Sequence, residues 1–334
     1  MLVERVALHA LDWRYLLGCQ IVTQSDFSQV SFVSVGPEHA GQRLDNFLIR
    51  HLKGVPKSRI YRLVRKGEVR VNKSRARADS RIQDGDILRI APIRVAQVAS
   101  QVAPSGDLGR YITAHVLFED EGLLIFDKPS GLAVHGGSGI SLGAIEALRA
   151  ERPHEKFLEL VHRLDRDTSG CLLFAKKRNV LLALHKAMGD HSIDKSYTTL
   201  VQHAWPAGKR TVAAPLQKNQ LSSGARIVRV DHRGKTAVTH FSVVKRLAGC
   251  TLLKATLETG RTHQIRVHCQ FSGHPIAGDP KYGDPTFNDQ LRKLGLKRLF
   301  LHASRLRFKH PLSNDVVTVE SPLPSNLSGV IAKL

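Results

Sequence analysis

"VHRLDRDTSG", residues 161–170, sets His162, Arg163, Asp165, Arg166 and Asp167 between two apolar runs, "FLEL" (157–160) and "CLLFA" (171–175). Short apolar runs bounded by polar residues read as buried strands. The closing Thr168-Ser169-Gly170 is turn chemistry. The charges therefore lie on a loop held between rigid elements, a common place for catalytic groups. Outward from this loop the pattern repeats. "HVLFED", "GLLIFDKP", "SYTTLVQ", "TAVTHFSVV", "CTLLKATLE" and "DVVTVE" read as strands, and "LGAIEALRAE" and "RNVLLALHKAMGD" as helices. Residues 111–325 are thus expected to form an α+β domain dominated by strands. No dinucleotide glycine fingerprint and no P-loop accompany them, which argues against dinucleotide or nucleoside-triphosphate chemistry.

The 334 residues suggest two domains, and a hydrophobic content of 42% suffices for a sizeable core. No apolar stretch approaches the roughly 18–20 residues of a membrane-spanning helix. Glu4, Asp12 and Arg14 interrupt the N-terminal apolar bias and no cleavage site follows, so no signal peptide is read and a cytoplasmic location is expected. Cys19, Cys171, Cys250 and Cys269 are scattered without a C-x-x-C pair, which disfavours a zinc ribbon or a disulfide scaffold. Fifty Lys and Arg against twenty-nine Asp and Glu give a net charge of +21. That excess points to a polyanionic partner, nucleic acid before membrane, since no basic amphipathic anchor is visible.

The charge is concentrated. Residues 37–100 hold fifteen Lys and Arg against six Asp and Glu. Within them "QRLDNFLIRHL" (42–52) spaces Leu44, Phe47, Leu48 and Leu52 for a helix, "GVP" breaks it, and "KSRIYRLVRKG" (57–67) begins a second helix that Gly67 ends. On the second helix Arg59, Arg62 and Lys66 share one face, with Lys57 at its start, while Ile60, Leu63 and Val64 share another. Such a helix can follow a phosphate backbone while its apolar face packs inward. "EVRVN" and "DGDILRIAP" alternate as strands. A small basic α/β module is expected over 31–94, a linker over 95–110, and an N-terminal extension without assigned role over 1–30.

Nearby Arg163 and Arg166 favour an ionised Asp165. An ionised carboxylate serves as nucleophile or base, or as half of an ion pair that locks the loop, and spacing leaves both readings open. Asp167 precedes Thr168 and Ser169 and is read as holding the turn. "GRTHQIRVH" (260–268) offers Arg261, His263, Gln264 and Arg266 to phosphate or base. His263 and His268 fall on opposite faces of a strand, or about 140° apart on a helix, so no metal pair is expected. "HPIAGDPKYGD" (274–284) must be a loop, and by itself reads as a tight surface turn. "DKSYTTLVQ" (194–202) puts Lys195 and Tyr197 on one strand face, Tyr197 being a core residue or a base-stacking ring.

These stretches together resemble the pseudouridine synthases. "HRLDRDTSG" is similar to the signature loop of their ribosomal branch, and "DKPSGLAVHGG", "KSYTTLV", "GRTHQIRVH", "GHPIAGDPKYGD" and "LFLHASRL" occur with it. The stretch "GQRLDNFLIRHLKGVPKSRIYRLVRKGEVRVN" resembles an S4 RNA-binding domain. The resemblance implies an α+β catalytic domain on a mixed, mainly antiparallel sheet, a small N-terminal α/β S4-like domain, and RNA bound in a cleft. It implies Asp165 as catalytic carboxylate, Tyr197 packed against the target base, Arg266 paired with Asp165, Arg163 filling the gap left by a flipped uridine, and Leu301 in an apolar pocket. It implies large-subunit ribosomal RNA as partner and no metal or organic cofactor; a monomer is expected. Rival readings are the same chemistry on transfer RNA, a non-catalytic assembly factor on this fold, and a carboxylate hydrolase. The intact Asp165, Tyr197 and Arg266 argue against the second, and the lack of a paired acid and oxyanion motif against the third.

Overall fold

The spacing of Leu44, Phe47, Leu48 and Leu52 builds the expected first helix, α1 (Leu44–His51), and all four side chains are buried. The computed structural model describes residues 29–52, 55–93, 106–136, 143–208, 210–220 and 226–334. Residues 1–28 of the expected extension, residue 94 of the expected basic module, 95–105 of the expected linker, and 137–142, which begin at the last glycine of "DKPSGLAVHGG", lie outside these. The chain divides into two units, residues 1–99 and 100–334.

In the first unit α2 (Lys57–Lys66) ends at Gly67, whose φ of 73° is the left-handed cap that glycine adopts without cost. Ile60, Leu63 and Val64 of α2 share one core with Val69 and Leu88. Strands β1 (Ser31–Ser34), β2 (Val69–Val71), β3 (Ser74–Arg75) and β4 (Ile87–Ile90) form an antiparallel sheet in the order β1-β4-β2-β3. One sheet face packs on the helices, and the other carries Phe32, Arg70 and Arg75, all exposed.

The second unit begins with α3 (Gly106–Ala114), so residues 106–110, expected as linker, are helical. Leu108 and Ile112, four apart, turn one face into the core, where Ile112 is fully buried. There follow β5 (Val116–Glu119), β6 (Leu123–Lys128), α4 (Ala144–Glu151), β7 (Glu159–Leu160), β8 (Ser169–Ala175), α5 (Arg178–Gly189) and β9 (Asp194–Gln202). Next come β10 (Thr211–Ala213), β11 (Leu216–Gln220), β12 (Arg226–Val230), β13 (Val238–Leu247), β14 (Cys250–Leu257), α6 (Gln264–Phe271) and α7 (Pro285–Lys293). The chain closes with β15 (Leu301–Lys309), β16 (Val316–Glu320) and α8 (Ser325–Ile331). Leu327 and Val330 of α8 are core residues, so the unit runs past the expected end at 325.

Ten strands form one sheet along the path β10-β13-β14-β9-β15-β8-β6-β5, with β16 beside β15 and β7 beside β8; β11 and β12 make a separate hairpin. The pair β15–β8 is parallel and its other neighbours are antiparallel, the mixed, mainly antiparallel sheet that the motifs implied. Leu124 and Phe126 of β6 join the core with α3, α4, α6, α7 and α8, while Leu123 and Ile125 face α5. Both faces of this part of the sheet are covered, which is why "LLIF" and "CLLFA" are continuous apolar runs. Gly170 permits the parallel pairing. A Cβ there would stand 2.2 Å from the Ala303 carbonyl oxygen, and its φ is +107°.

Candidate active site

The loop between β7 and β8 is closed by Thr168 N–H donating to the Asp165 carbonyl (3.1 Å). A neighbouring loop pins it from outside. Lys128 Nζ donates to the carbonyls of Pro129 (2.9 Å), Leu132 (2.8 Å) and Arg166 (2.9 Å), and Ser130 Oγ donates to the Asp167 carbonyl (2.7 Å). Gly131 N–H adds a second bond to the Arg166 carbonyl (2.9 Å). The Asp167 side chain, expected to hold the turn, pairs instead with Arg166 Nε (3.2 Å), because the backbone is already held from outside. Lys128 has no exposed surface, and sequence reading missed it. A lysine closing an apolar strand was the available signal.

Asp165 Oδ2 meets Arg266 Nη1 at 3.3 Å and lies 3.8 Å from His263 Nε2. Arg266 comes from α6 and is buried. Its Nε and Nη2 form a two-pronged pair with Asp279, at 2.7 and 2.8 Å. Asp279 is 1% exposed and also accepts the amides of Lys281 (2.8 Å) and Tyr282 (3.0 Å). The 274–284 loop is therefore no surface turn, since it delivers a buried carboxylate to the arginine that faces Asp165. Burial pulls the Asp279 carboxyl upward, but Arg266 and the two amides outweigh it and hold it below the ordinary carboxylate value. Burial likewise opposes the charge of Arg266, yet Asp279 and then Asp165 raise it above the ordinary arginine value. The Tyr282 ring lies 5.0 Å from the Arg266 guanidinium carbon, within cation–π range.

His263 adopts φ 55° and ψ 19°, a left-handed conformation uncommon for a residue with a side chain. That turn brings its ring between Asp165 and Tyr282. Val228 N–H donates to the Tyr282 hydroxyl (3.0 Å), whose oxygen lies 2.8 Å from His263 Nδ1. Burial raises the Tyr282 hydroxyl above the ordinary tyrosine value, so it keeps its proton. Because the Asp165 carboxylate, which can only accept, faces Nε2, the imidazole N–H sits there, and the Tyr282 hydroxyl, which also accepts from Val228, donates to Nδ1. Burial pushes the His263 imidazole below its usual value, against the pull of Asp165. This hydrogen-bond logic assigns a neutral ring of one tautomer.

Tyr197 of β9 is 7% exposed, and its hydroxyl has no hydrogen-bond partner among the described residues. Burial, then the charge of Asp165, push that hydroxyl far above the ordinary tyrosine value. Asp165, Tyr197, Arg266 and Leu301 all border a cleft of about 500 Å³, with exposed Arg163 and Arg261 also on its wall. Lys195 lines the same cleft, as period two places it beside Tyr197. A larger hollow, about 1090 Å³, lies along Lys128, Asp167, Ser169 and Arg298 and does not reach Asp165, Tyr197 or Arg266.

Gln264 requires a correction. It is 2% exposed, and its amide is saturated. Nε2 donates to the Val238 carbonyl and Thr239 Oγ1, and Oε1 accepts from Thr259 Oγ1 and Arg261 N–H. It braces the turn into α6 and has no group left for RNA. His268 spends both ring nitrogens on Thr239 Oγ1 (2.9 Å) and the Ala214 carbonyl (3.0 Å). In the first unit, Lys57, Arg62 and Lys66 stand exposed on α2 and Arg59 is half-buried.

Residues 122–271 match the family described as RNA pseudouridylate synthase, and residues 42–88 match the S4 domain. The "Ribosomal large subunit pseudouridine synthase C" of Haemophilus ducreyi is 50% identical over 316 residues, covering 93% of this chain and 98% of that protein. The chain belongs to the RNA pseudouridylate synthase family. The protein of the same name in Escherichia coli is 50% identical over 314 residues, again covering 93% of this synthase and 98% of the relative. Among solved structures, "Human RNA Pseudouridylate Synthase Domain Containing 4" resembles the synthase with a TM-score of 0.57 and 25% identity, covering 68% of this chain and 95% of that one.

Proposed function

We propose that this synthase isomerises uridines of large-subunit ribosomal RNA to pseudouridine, with Asp165 as its catalytic carboxylate. The observation that carries the reading is the Asp165–Arg266 contact of 3.3 Å, in a cleft that Tyr197 also lines. The relatives named for the large ribosomal subunit supply the class of RNA. The reaction breaks the N1–C1′ bond, turns the uracil, and forms a C5–C1′ bond, the proton lost from C5 being balanced by the one gained at N1. Nothing is consumed, so a held carboxylate and a pocket that retains the loose base suffice. Asp165 supplies the carboxylate that acts on the nucleotide, and Arg266, fixed by Asp279, orients it.

The uridine must leave its stack, at about a few kcal/mol. Tyr197 offers its ring to the extruded base, and stacking of that kind is worth about 1–3 kcal/mol. Its hydroxyl, held protonated, is a donor for a base carbonyl. Leu301 supplies an apolar wall, and Arg163, exposed and without an ion-pair partner among the described residues, fills the gap in the helix. Arg261 takes backbone phosphate, as do Lys57, Arg59, Arg62 and Lys66 on α2.

Replacing Asp165 by Asn should abolish pseudouridine formation while RNA affinity stays within a few-fold of wild type. Mapping of pseudouridine in ribosomal and transfer RNA, from cells lacking the gene and cells carrying Asp165→Asn, reads both outcomes. Modification at a near wild-type rate by the variant refutes the role of Asp165. Sites lost only from transfer RNA refute the substrate.

A further inference from the structure

The outer face of the four-stranded sheet in the S4 unit carries a row of side chains that the catalytic cleft does not use. Register sets Phe32 opposite Arg89, Arg89 opposite Arg70, and Arg70 opposite Arg75. The four residues form one line across β1, β4, β2 and β3. Phe32 is 68% exposed, Arg70 and Arg75 are exposed, and Arg89 is half-buried. At about 4.8 Å between strands, the three arginines span only about 10 Å.

Like charges directly opposite one another on neighbouring strands repel. Among the described residues none of the three arginines has a carboxylate partner. Arg70 Nη1 donates to the Lys73 carbonyl at 3.2 Å. Arg75 Nε stands 3.0 Å from where a Cβ on Gly67 would lie, at the carbonyl end of α2, which favours a cation. Elsewhere in this unit arginines do take acids: Arg43 pairs with Asp45 at 2.7 Å and Arg77 with Asp79 at 3.5 Å. The row is thus a line of unneutralised cations that ends in an exposed aromatic ring.

We propose that this row is a second RNA-binding surface, on which Arg89, Arg70 and Arg75 take phosphates of one strand and Phe32 stacks on a base. The proposal rests on the reading that the synthase acts on RNA. The row is separate from the basic face of α2, because the apolar face of α2 packs toward the opposite side of the same sheet. An acidic protein segment would answer the charge but would not explain the exposed ring beside it, whereas a nucleotide answers both.

The test is equilibrium binding of the full chain to a bacterial large-subunit ribosomal RNA transcript across a salt series, with isomerisation measured separately. Each phosphate no longer neutralised should lower the slope of log affinity against log salt by about 0.7–0.9. Arg70→Ala with Arg89→Ala should show that drop, in addition to the drop from an Arg59→Ala, Arg62→Ala, Lys66→Ala chain. Phe32→Ala should weaken binding roughly tenfold without changing the slope. The melting temperature of the double variant should hold or rise, since facing like charges are removed. The rate at saturating RNA should stay at wild type, so this surface and the role of Asp165 fail or survive in different measurements. An unchanged slope overturns the proposal. So does an Arg77→Ala control that lowers the slope as much, since the effect is then diffuse charge. Loss of binding to polyglutamate with RNA binding intact assigns the row to a protein partner and overturns it as well.

Discussion

Asp165 is held by residues that are themselves held, and His263 shows this best. Its useful tautomer depends on Tyr282, whose hydroxyl is 2.8 Å from Nδ1. Tyr282→Phe removes one oxygen and leaves Val228 N–H and His263 Nδ1 without that partner. The cost to stability should be about 1–3 kcal/mol. The ring is also released to put its proton on either nitrogen, so kcat should fall several-fold with KM little changed. Steady-state kinetics on an RNA fragment would separate this from simple loosening, which lowers the melting temperature and leaves kcat intact. Asp279 is the residue-scale case for acid. Its folded carboxyl lies below the unfolded value near about 3.9. The stabilisation is therefore complete above that value and lost as pH falls through the folded one. Asp279→Asn should remove this share of the acid unfolding profile. It should also cost about 3–5 kcal/mol at neutral pH, because Arg266 is left buried without its two-pronged partner.

Among elements, the strands were legible and their ends were not. "CLLFA" and "LLIF" announce buried strands by composition, and the sheet covers both their faces. The expected "FLEL" strand shrinks to the two residues of β7, since a short apolar run says nothing of hydrogen-bond partners. The linker reading failed at α3 because Leu108 and Ile112 alone mark its apolar face. At the 274–284 loop the structure departs from the surface turn for a sharper reason. Its glycines and prolines signal a turn, and no local pattern reveals that Asp279 will meet Arg266 inside. Gly170, turn chemistry by composition, is the contact point of β8 with β15. Gly170→Ala should cost about 3 kcal/mol or more, from a forbidden φ and from a clash with the Ala303 backbone. Denaturant unfolding would show a lower midpoint, and activity should fall with it because Gly170 follows the Asp165 loop. A midpoint unchanged from wild type would show that the strands can separate at no cost.

Across the whole molecule, the α+β class, the S4 unit and the cleft residues Asp165, Tyr197 and Arg266 could all be anticipated. What holds them could not, because Lys128, Asp279 and Tyr282 act through partners that lie in other motifs of the chain. The strand order carries a further consequence. β15, next to last among the strands, sits between β8 and β9, and Asp165 and Arg266 are 101 positions apart. Pairings of such long range form slowly, and chains fold from the N-terminal end as they are made. The RNA-binding unit, built from neighbouring stretches of chain, is complete while the central sheet still lacks its middle strand. A nascent chain can therefore grip RNA before it can alter it, and chemistry begins only when the last strands have been inserted.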